Sequence, residues 1–254
     1  MNKVLLVGCG HMGTALVESW LNLKTYSFTV VDPFNFKKLK NKFNNKKIKV
    51  LNNAPLQKEI KKFDIIIFAV KPQSADRVLS EYKDFEFKKN SIIGSIIAGK
   101  KIHFFKKYLK NANQFVRIMP NMPALIRNGI SCLVSTNNLS IKNKKTITQL
   151  FMKVGKTVWF KNESQIDKAT AVSGSGPGYV FALINSFEKA AQKLGFSKKQ
   201  SRELVLTTFL GSIYLMQETK KEPDELEKSI AVKGGTTEAG IKNLKNNYID
   251  KIIY

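Results

Sequence analysis

The sequence is short of the residues that build metal centres and disulfide frameworks. Its 254 residues hold two cysteines, Cys9 and Cys132, and two histidines, His11 and His103. Such a set cannot supply the ligand spacing of a zinc site, so no metal is expected. Two cysteines also exclude a disulfide scaffold and fit a reducing cytoplasm, which is the expected location. No apolar run reaches the roughly 20 residues of a helical membrane span. Met1-Asn2-Lys3 before Val4–Val7 has the outline of a leader peptide. The run is too short and is broken by glycines and His11, so it reads as a first strand. Acidic residues are scarce, 19 against 43 lysines and arginines, which leaves a net charge of +24. That charge would attract nucleic acid or anionic membranes. However, the lysines are scattered, as in Lys37-Lys38-Leu39-Lys40-Asn41-Lys42 and Asn143-Lys144-Lys145, and no nucleic-acid motif accompanies them. They read as solvated faces, with no specific nucleic-acid or membrane partner. Their field still favours an anionic cofactor and substrate.

What the chain does have is three glycine-rich loops. Gly8-Cys9-Gly10-His11-Met12-Gly13 follows the apolar run Val4–Val7 and precedes a helical pattern of Leu16, Val17, Trp20 and Leu21. Gly8 permits a tight turn, Gly10 lets backbone approach a pyrophosphate, and Gly13 lets helix pack on strand. The pyrophosphate would sit on the free N–H groups at the helix start. A second strand, Phe28–Val31, ends in Asp32, nineteen residues beyond Gly13, where a ribose-binding acid belongs. This context makes a dinucleotide the expected cofactor. Cys9 and His11 read as spacers within the loop.

Up to about residue 160 the chain alternates strand and helix. Strands are expected at Lys3–Val7, Phe28–Val31, Ile48–Leu51, Ile65–Val70, Ser91–Ile97, Phe115–Met119, Ile130–Val134 and Thr157–Phe160. Helical stretches such as Ser74–Tyr82 and Lys101–Leu109 separate most of them. Short unbroken apolar runs alternating with helices predict a parallel sheet covered on both faces. Beyond Asn162 strand signals vanish. Pro177–Leu194 reads as a helix with Val180, Leu183, Ile184, Phe187, Ala191 and Leu194 on one face, ended by Gly195. Lys198–Gln217 follows with Leu204, Val205, Thr208, Phe209, Ser212 and Leu215 inward, then Asp224–Ile230 and a last helix after Gly235. About 90 helical residues are marginal as an independent globule. The surplus apolar surface predicts intertwining with a second copy, a dimer or larger.

Five ordered motifs carry a resemblance. They are the first glycine loop, then Phe68-Ala69-Val70-Lys71-Pro72-Gln73, then Arg117-Ile118-Met119-Pro120-Asn121-Met122-Pro123-Ala124. Ser173-Gly174-Ser175-Gly176-Pro177-Gly178-Tyr179 and Gly234-Gly235-Thr236-Thr237-Glu238-Ala239-Gly240 complete the set. In this order and spacing the chain resembles the pyrroline-5-carboxylate reductase family along essentially its whole length. The resemblance implies an α/β fold: a Rossmann-like doubly wound sheet over residues 1–162 and an all-helical substrate and dimerisation domain over 163–254. It implies reduction of 1-pyrroline-5-carboxylate to L-proline by NADH or NADPH, the last step of proline synthesis. Val7, Gly8, Cys9, Gly10, His11 and Met12 would hold the pyrophosphate. Ala69, Val70, Lys71 and Pro72, with Ile96, Ile97 and Ala98, would wrap the nicotinamide side. Asn53, or its neighbour Asn52, would lie near the adenosine, and Ser229 near the cofactor. Glu163, Ser175, Gly234, Gly235, Thr236 and Thr237 would meet the substrate.

The chemistry of the residues agrees. A cyclic imine with one carboxylate needs an anion site, and Gly234–Thr237 at a helix start offers unpaired N–H groups. Orientation supplies much of the acceleration if the imine nitrogen is already protonated. Thr237 is the candidate for the chemistry, through a hydrogen bond to the ring nitrogen, and Thr236 and nearby backbone for the carboxylate. Plainer readings stand beside these. Thr236 or Thr237 could be an N-cap, Lys71 a solvated strand end, Glu163 a first-turn helix acid, and Arg117 a structural partner. Three departures from the family pattern matter. Val232-Lys233 stand where a Ser-Pro pair is usual, the chain stops at Tyr254 so that the last helix is expected to be shorter, and Asp32 replaces a small polar residue. Asp32 would bind ribose hydroxyls and repel a 2′-phosphate, so the cofactor expectation leans to NADH. The competing readings are another imine or hydroxy-acid reductase of this plan, and a non-catalytic nucleotide-binding protein.

Overall fold

Val4 and Leu6 enter one hydrophobic core, and Leu5 and Val7 enter another. Side chains of a strand alternate with a period of two, so an unbroken apolar run needs cover on both faces. The computed structural model describes residues 1–44 and 48–247. It divides into two compact units, Met1–Tyr179 and Val180–Tyr254.

In the first unit the elements are β1 (Asn2–Val7), α1 (His11–Trp20), β2 (Tyr26–Val31), α2 (Phe36–Lys42), β3 (Ile48–Leu51) and α3 (Gln57–Ile60). After them come β4 (Ile65–Phe68), α4 (Ala75–Ser80), β5 (Ile92–Ser95), α5 (Ile102–Tyr108) and β6 (Gln114–Pro120). The unit continues with β7 (Gly129–Ser135), α6 (Ile141–Phe151), β8 (Gly155–Trp159) and α7 (Ser164–Ala169). The eight strands form one sheet in the order β3-β2-β1-β4-β5-β6-β7-β8. Leu16, Val17 and Trp20 of α1 cover one face together with Ile147 and Leu150 of α6. Ala75 and Leu79 of α4 and Phe105 of α5 cover the other. Trp20 is wholly buried, stacks on Phe28 at 5.6 Å, and donates its indole N–H to the Leu150 carbonyl at 2.8 Å. Trp159 donates likewise to the Thr148 hydroxyl at 2.9 Å.

All eight expected strands are present, with two corrections. The sheet is not parallel throughout, because β6 and β7 pair antiparallel while β7 and β8 pair parallel. The link between β6 and β7, residues 121–128, holds only a single 3₁₀ segment, Met122–Ile126. A parallel return needs a crossover of about a dozen residues or more. The second correction is that β4 and β5 end at Phe68 and Ser95. Residues 69–71, 96 and 98 therefore lie beyond the strand ends and line the cleft.

The second unit contains most of α8 (Gly176–Lys193), then α9 (Lys198–Thr219), α10 (Pro223–Ile230) and α11 (Thr236–Asn246). Gly195, with φ of +96°, ends α8, and Ser197 with Gln200 forms a capping box that starts α9. Glu188 accepts from Arg202 at 2.9 and 3.3 Å, and Phe187 meets Phe209 edge-on at 5.3 Å. The inward stripes expected on these helices are not enclosed by this chain. Val180, Leu183, Phe187, Leu194, Leu204 and Leu215 are all exposed, whereas Ser201 and Val205 are buried. A helical unit of this size is marginal as an independent globule. Among the described residues no helix is long and apolar enough to cross a membrane.

Candidate functional site

The turn after β1 requires its glycines. Gly8 has φ of +90°, and a Cβ there would lie 2.6 Å from Val70 Cγ1 and 2.9 Å from the Ala69 carbonyl. A Cβ on Gly13 would lie 2.8 Å from the Gly8 carbonyl oxygen, so α1 packs directly on the turn. Gly10 is the N-cap of α1, and a Cβ on it would meet nothing within 4 Å. The space over the helix start is open, and the first turn of α1 carries no acidic side chain. Unpaired N–H groups and the positive helix end therefore face a cleft, the arrangement that holds a pyrophosphate.

Asp32 follows β2 and is 6% exposed. Its Oδ2 accepts the Cys9 backbone N–H at 2.7 Å and the Asn35 side-chain amide at 3.1 Å. Its Oδ1 accepts the Asn35 backbone N–H at 2.9 Å. The carboxylate thus fastens the glycine turn to the end of β2. Three of its roughly four acceptor positions are filled by the chain itself. Burial pushes the Cys9 thiol up to about 11, so it is neutral at ordinary pH.

Two cavities meet over this turn and share Cys9, Gly10, Asn35, Ala69, Val70 and Lys71. One, of about 460 Å³, extends from Val7 and Gly8 past Asp32 to Phe34, Ser74 and Arg77. The other, of about 630 Å³, runs along His11 and Met12 to Pro72, Ile96, Ala98, Met119 and Leu125. Each falls within the range of small-molecule sites. An elongated ligand lying across the glycine turn would place one half in each. The residues fit a dinucleotide, with a small-residue cradle at its middle and apolar walls at either end.

Other expected residues are placed differently. Ile97 is 2% exposed and packs in the core beside Phe68 and Phe105, so only its neighbours Ile96 and Ala98 line the cleft. Asn52 and Asn53 are exposed beyond β3 and line neither cavity. Glu163 accepts the Ile102 backbone N–H at 2.7 Å, capping α5, and lies 3.5 Å from Arg117 Nη1. Arg117, in the middle of β6 and not at a strand end, is 3% exposed and donates to Asp167 at 2.7 Å, the role of a structural partner. Asn121 joins two of the motifs. Its amide donates to the Ser173 carbonyl at 3.1 Å and its oxygen accepts the Ile130 N–H at 2.9 Å. Ser173 lies in a π-helical turn, Thr170–Gly174, and exposed Ser175 closes that turn by donating its N–H to Thr170.

The glycine-threonine loop belongs to the second unit. Gly234 has φ of +77°, and Gly235 is the N-cap of α11. Thr236 and Thr237 are therefore the first two residues of the helix, and neither hydroxyl is used as its cap. The Gly234 N–H donates to Glu238 at 2.7 Å. Val232 packs on Gly235, where a Cβ would lie 3.1 Å from Val232 Cγ2. Ser229 stands exposed on α10 and donates its hydroxyl to the Leu226 carbonyl at 2.7 Å.

Some lining residues were not anticipated from the sequence. Phe34, Ser74 and Arg77 belong to the smaller cavity, and Met119 and Leu125 to the larger one. Lys38, expected on a solvated face, also borders the larger cavity. A turn aromatic such as Phe34, two residues after the ribose-position acid, was the available signal.

Comparison with known proteins agrees with this geometry. Residues 163–254 match the family described as pyrroline-5-carboxylate reductase dimerisation, and residues 3–99 match NADP oxidoreductase coenzyme F420-dependent. A pyrroline-5-carboxylate reductase of Pseudomonas aeruginosa is 36% identical over 190 residues, 75% of this chain and 69% of that protein. The solved structure of a pyrroline-5-carboxylate reductase from Coxiella burnetii superposes with a TM-score of 0.88 at 26% identity, covering 99% of this chain and 93% of that one. A Plasmodium falciparum pyrroline carboxylate reductase with NADP bound gives a TM-score of 0.84 at 28% identity, covering 99% and 92%. On the strength of these matches, the chain belongs to the pyrroline-5-carboxylate reductase family.

Proposed function

We infer that the chain reduces 1-pyrroline-5-carboxylate to L-proline, oxidising a reduced nicotinamide dinucleotide. The observation that carries this reading is the pair of cavities meeting over the Gly8–Gly13 turn in a chain of this family. The bound cofactor supplies a hydride to the carbon of the C=N bond. The chain's own residues bind and orient. The turn from Val7 to Met12 and the start of α1 hold the pyrophosphate. Ala69, Val70, Lys71, Pro72, Ile96 and Ala98 exclude water around the nicotinamide, with Ile97 acting as support from the core. Gly234, Gly235 and Thr236 meet the substrate carboxylate, with Thr236 offering its N–H because those of Gly234 and Gly235 already bond to Glu238 and the Val232 carbonyl, and Thr237 hydrogen-bonds the ring nitrogen. A nitrogen already protonated needs no strong acid, and positioning lowers most of the barrier. Asn53, Glu163, Ser175 and Ser229 complete the proposed site residues. For Glu163 the bonds to Ile102 and Arg117 favour a positioning role.

We place the functional boundary between residues 162 and 163, and the segment beyond it is proposed to pair with a second copy. The exposed apolar faces of α8 and α9 and the matched dimerisation family support that pairing. The same reading has a cytoplasmic enzyme with no specific nucleic-acid or membrane partner, its positive charge acting as a general field. The test is loss of reduced-nicotinamide absorbance with pyrroline-5-carboxylate against a panel of other cyclic imines and keto acids. Oxidation dependent on pyrroline-5-carboxylate is expected. Turnover confined to another imine, or none at all, overturns the reading.

A further inference from the structure

We propose that Arg77 selects a 2′-phosphorylated cofactor, so that the chain prefers NADPH, and that Phe34 holds this arginine in place. The proposal rests on the dinucleotide reading of the cleft and deepens it. The strand order puts the ends of β1, β2 and β4 side by side. In such sheets the adenosine ribose lies near the end of the second strand, and an arginine close by accommodates a 2′-phosphate. Here that position opens into the 460 Å³ cavity bordered by Asp32, Phe34 and Arg77.

Asp32 is poorly placed to decide the matter. Its charge is already met by three N–H donors from Cys9 and Asn35. Arg77, in contrast, is exposed on α4, and its guanidinium makes no ion pair or hydrogen bond among the described residues. Among the described residues it meets the Phe34 ring, with the guanidinium carbon 5.5 Å from the centroid. Phe34 is 81% exposed, so one face of its ring stays open beside the guanidinium. The pair makes a flat cationic rim that an adenine can stack against and a phosphate can meet through paired N–H donors. Glu81, one turn further along, borders the same cavity without pairing to Arg77.

The experiment is calorimetric titration of the full chain with 2′,5′-ADP and with 5′-ADP, which probe the adenosine half alone and need no turnover. The unmodified protein is expected to bind 2′,5′-ADP at least about tenfold more tightly. Arg77→Gln should abolish that preference while 5′-ADP binding persists, which also shows that the variant is folded. Phe34→Ala should weaken both nucleotides. Equal affinity of the unmodified protein for the two, or a preference that survives Arg77→Gln, overturns the proposal. Nucleotide preference without any turnover of pyrroline-5-carboxylate supports it while removing the assigned substrate. Binding of neither nucleotide overturns the cofactor reading and the proposal together.

Discussion

The Asp32 carboxylate accepts the backbone N–H of Cys9 at 2.7 Å, across the gap between two neighbouring strand ends. An acid expected to face the ribose is first of all a clamp on the glycine turn. Removing it leaves a buried N–H unpaired, which costs about 1–3 kcal/mol. Asp32→Ser is therefore expected to weaken NADH and NADPH alike, by roughly tenfold or more. Titration of both cofactors checks this. A selective gain for NADPH would restore Asp32 as the discriminator.

Glu163→Ala should act on stability more than on substrate binding. It removes the acceptor of the Ile102 N–H and one partner of buried Arg117. A loss of about 1–3 kcal/mol is expected in chemical denaturation. KM for pyrroline-5-carboxylate should stay within about twofold, whereas a contact made only in substrate binding would raise it by roughly tenfold. Steady-state kinetics beside the denaturation curve separates the two.

Thr237→Val tests the proposed hydrogen bond to the ring nitrogen. Gly235 caps α11, so the hydroxyl is not spent on the helix. kcat/KM should fall by roughly tenfold, equivalent to about 1.4 kcal/mol, with cofactor affinity unchanged. An unaltered kcat/KM would leave Thr237 as an ordinary first-turn residue.

The apolar faces of the second unit predict self-association. Light scattering at micromolar concentration should give at least twice the 28.7 kDa of one chain. Leu210, on α9 and 52% exposed, is a suitable position for a charge. Leu210→Arg should shift the mass toward a single chain. A single-chain mass for the unmodified protein would argue against the pairing.

Cys9 makes stability depend on alkaline pH. Its thiol has an ordinary value of 9.0 and is raised by burial to about 11 in the folded chain. The folded state therefore holds this proton more tightly than the unfolded state. The associated stability is complete below pH 9 and is lost as pH rises through about 11. The loss is on the order of 2–3 kcal/mol. Denaturation midpoints from pH 8 to 11 should fall more steeply for the unmodified protein than for Cys9→Ala.

The sheet was legible because its strands are short apolar runs, and Ile65–Phe68 needs cover on both faces to exist at all. The glycine turn was legible because Gly8 and Gly13 answer to steric limits that no other residue meets. Strand direction was not, since apolar content says nothing about it, and the reversal of β7 is set by the length of the link after Pro120. Cleft-lining residues were legible where backbone shapes the cleft, as at Ala69–Pro72. They were hidden where distant segments meet. Arg77 and Phe34 are 43 positions apart and come together only through the strand order. Glu163 and Ile102 are hidden in the same way, 61 residues apart.

Both tryptophans, Trp20 and Trp159, lie in the first unit, one buried under α6 and the other bonded to it through Thr148. Their emission is a private signal of the sheet unit, and the four C-terminal helices are optically silent in it. Far-ultraviolet circular dichroism, in contrast, weighs those helices heavily. A melt followed by both probes thus resolves which half of the chain lets go first, with no label added.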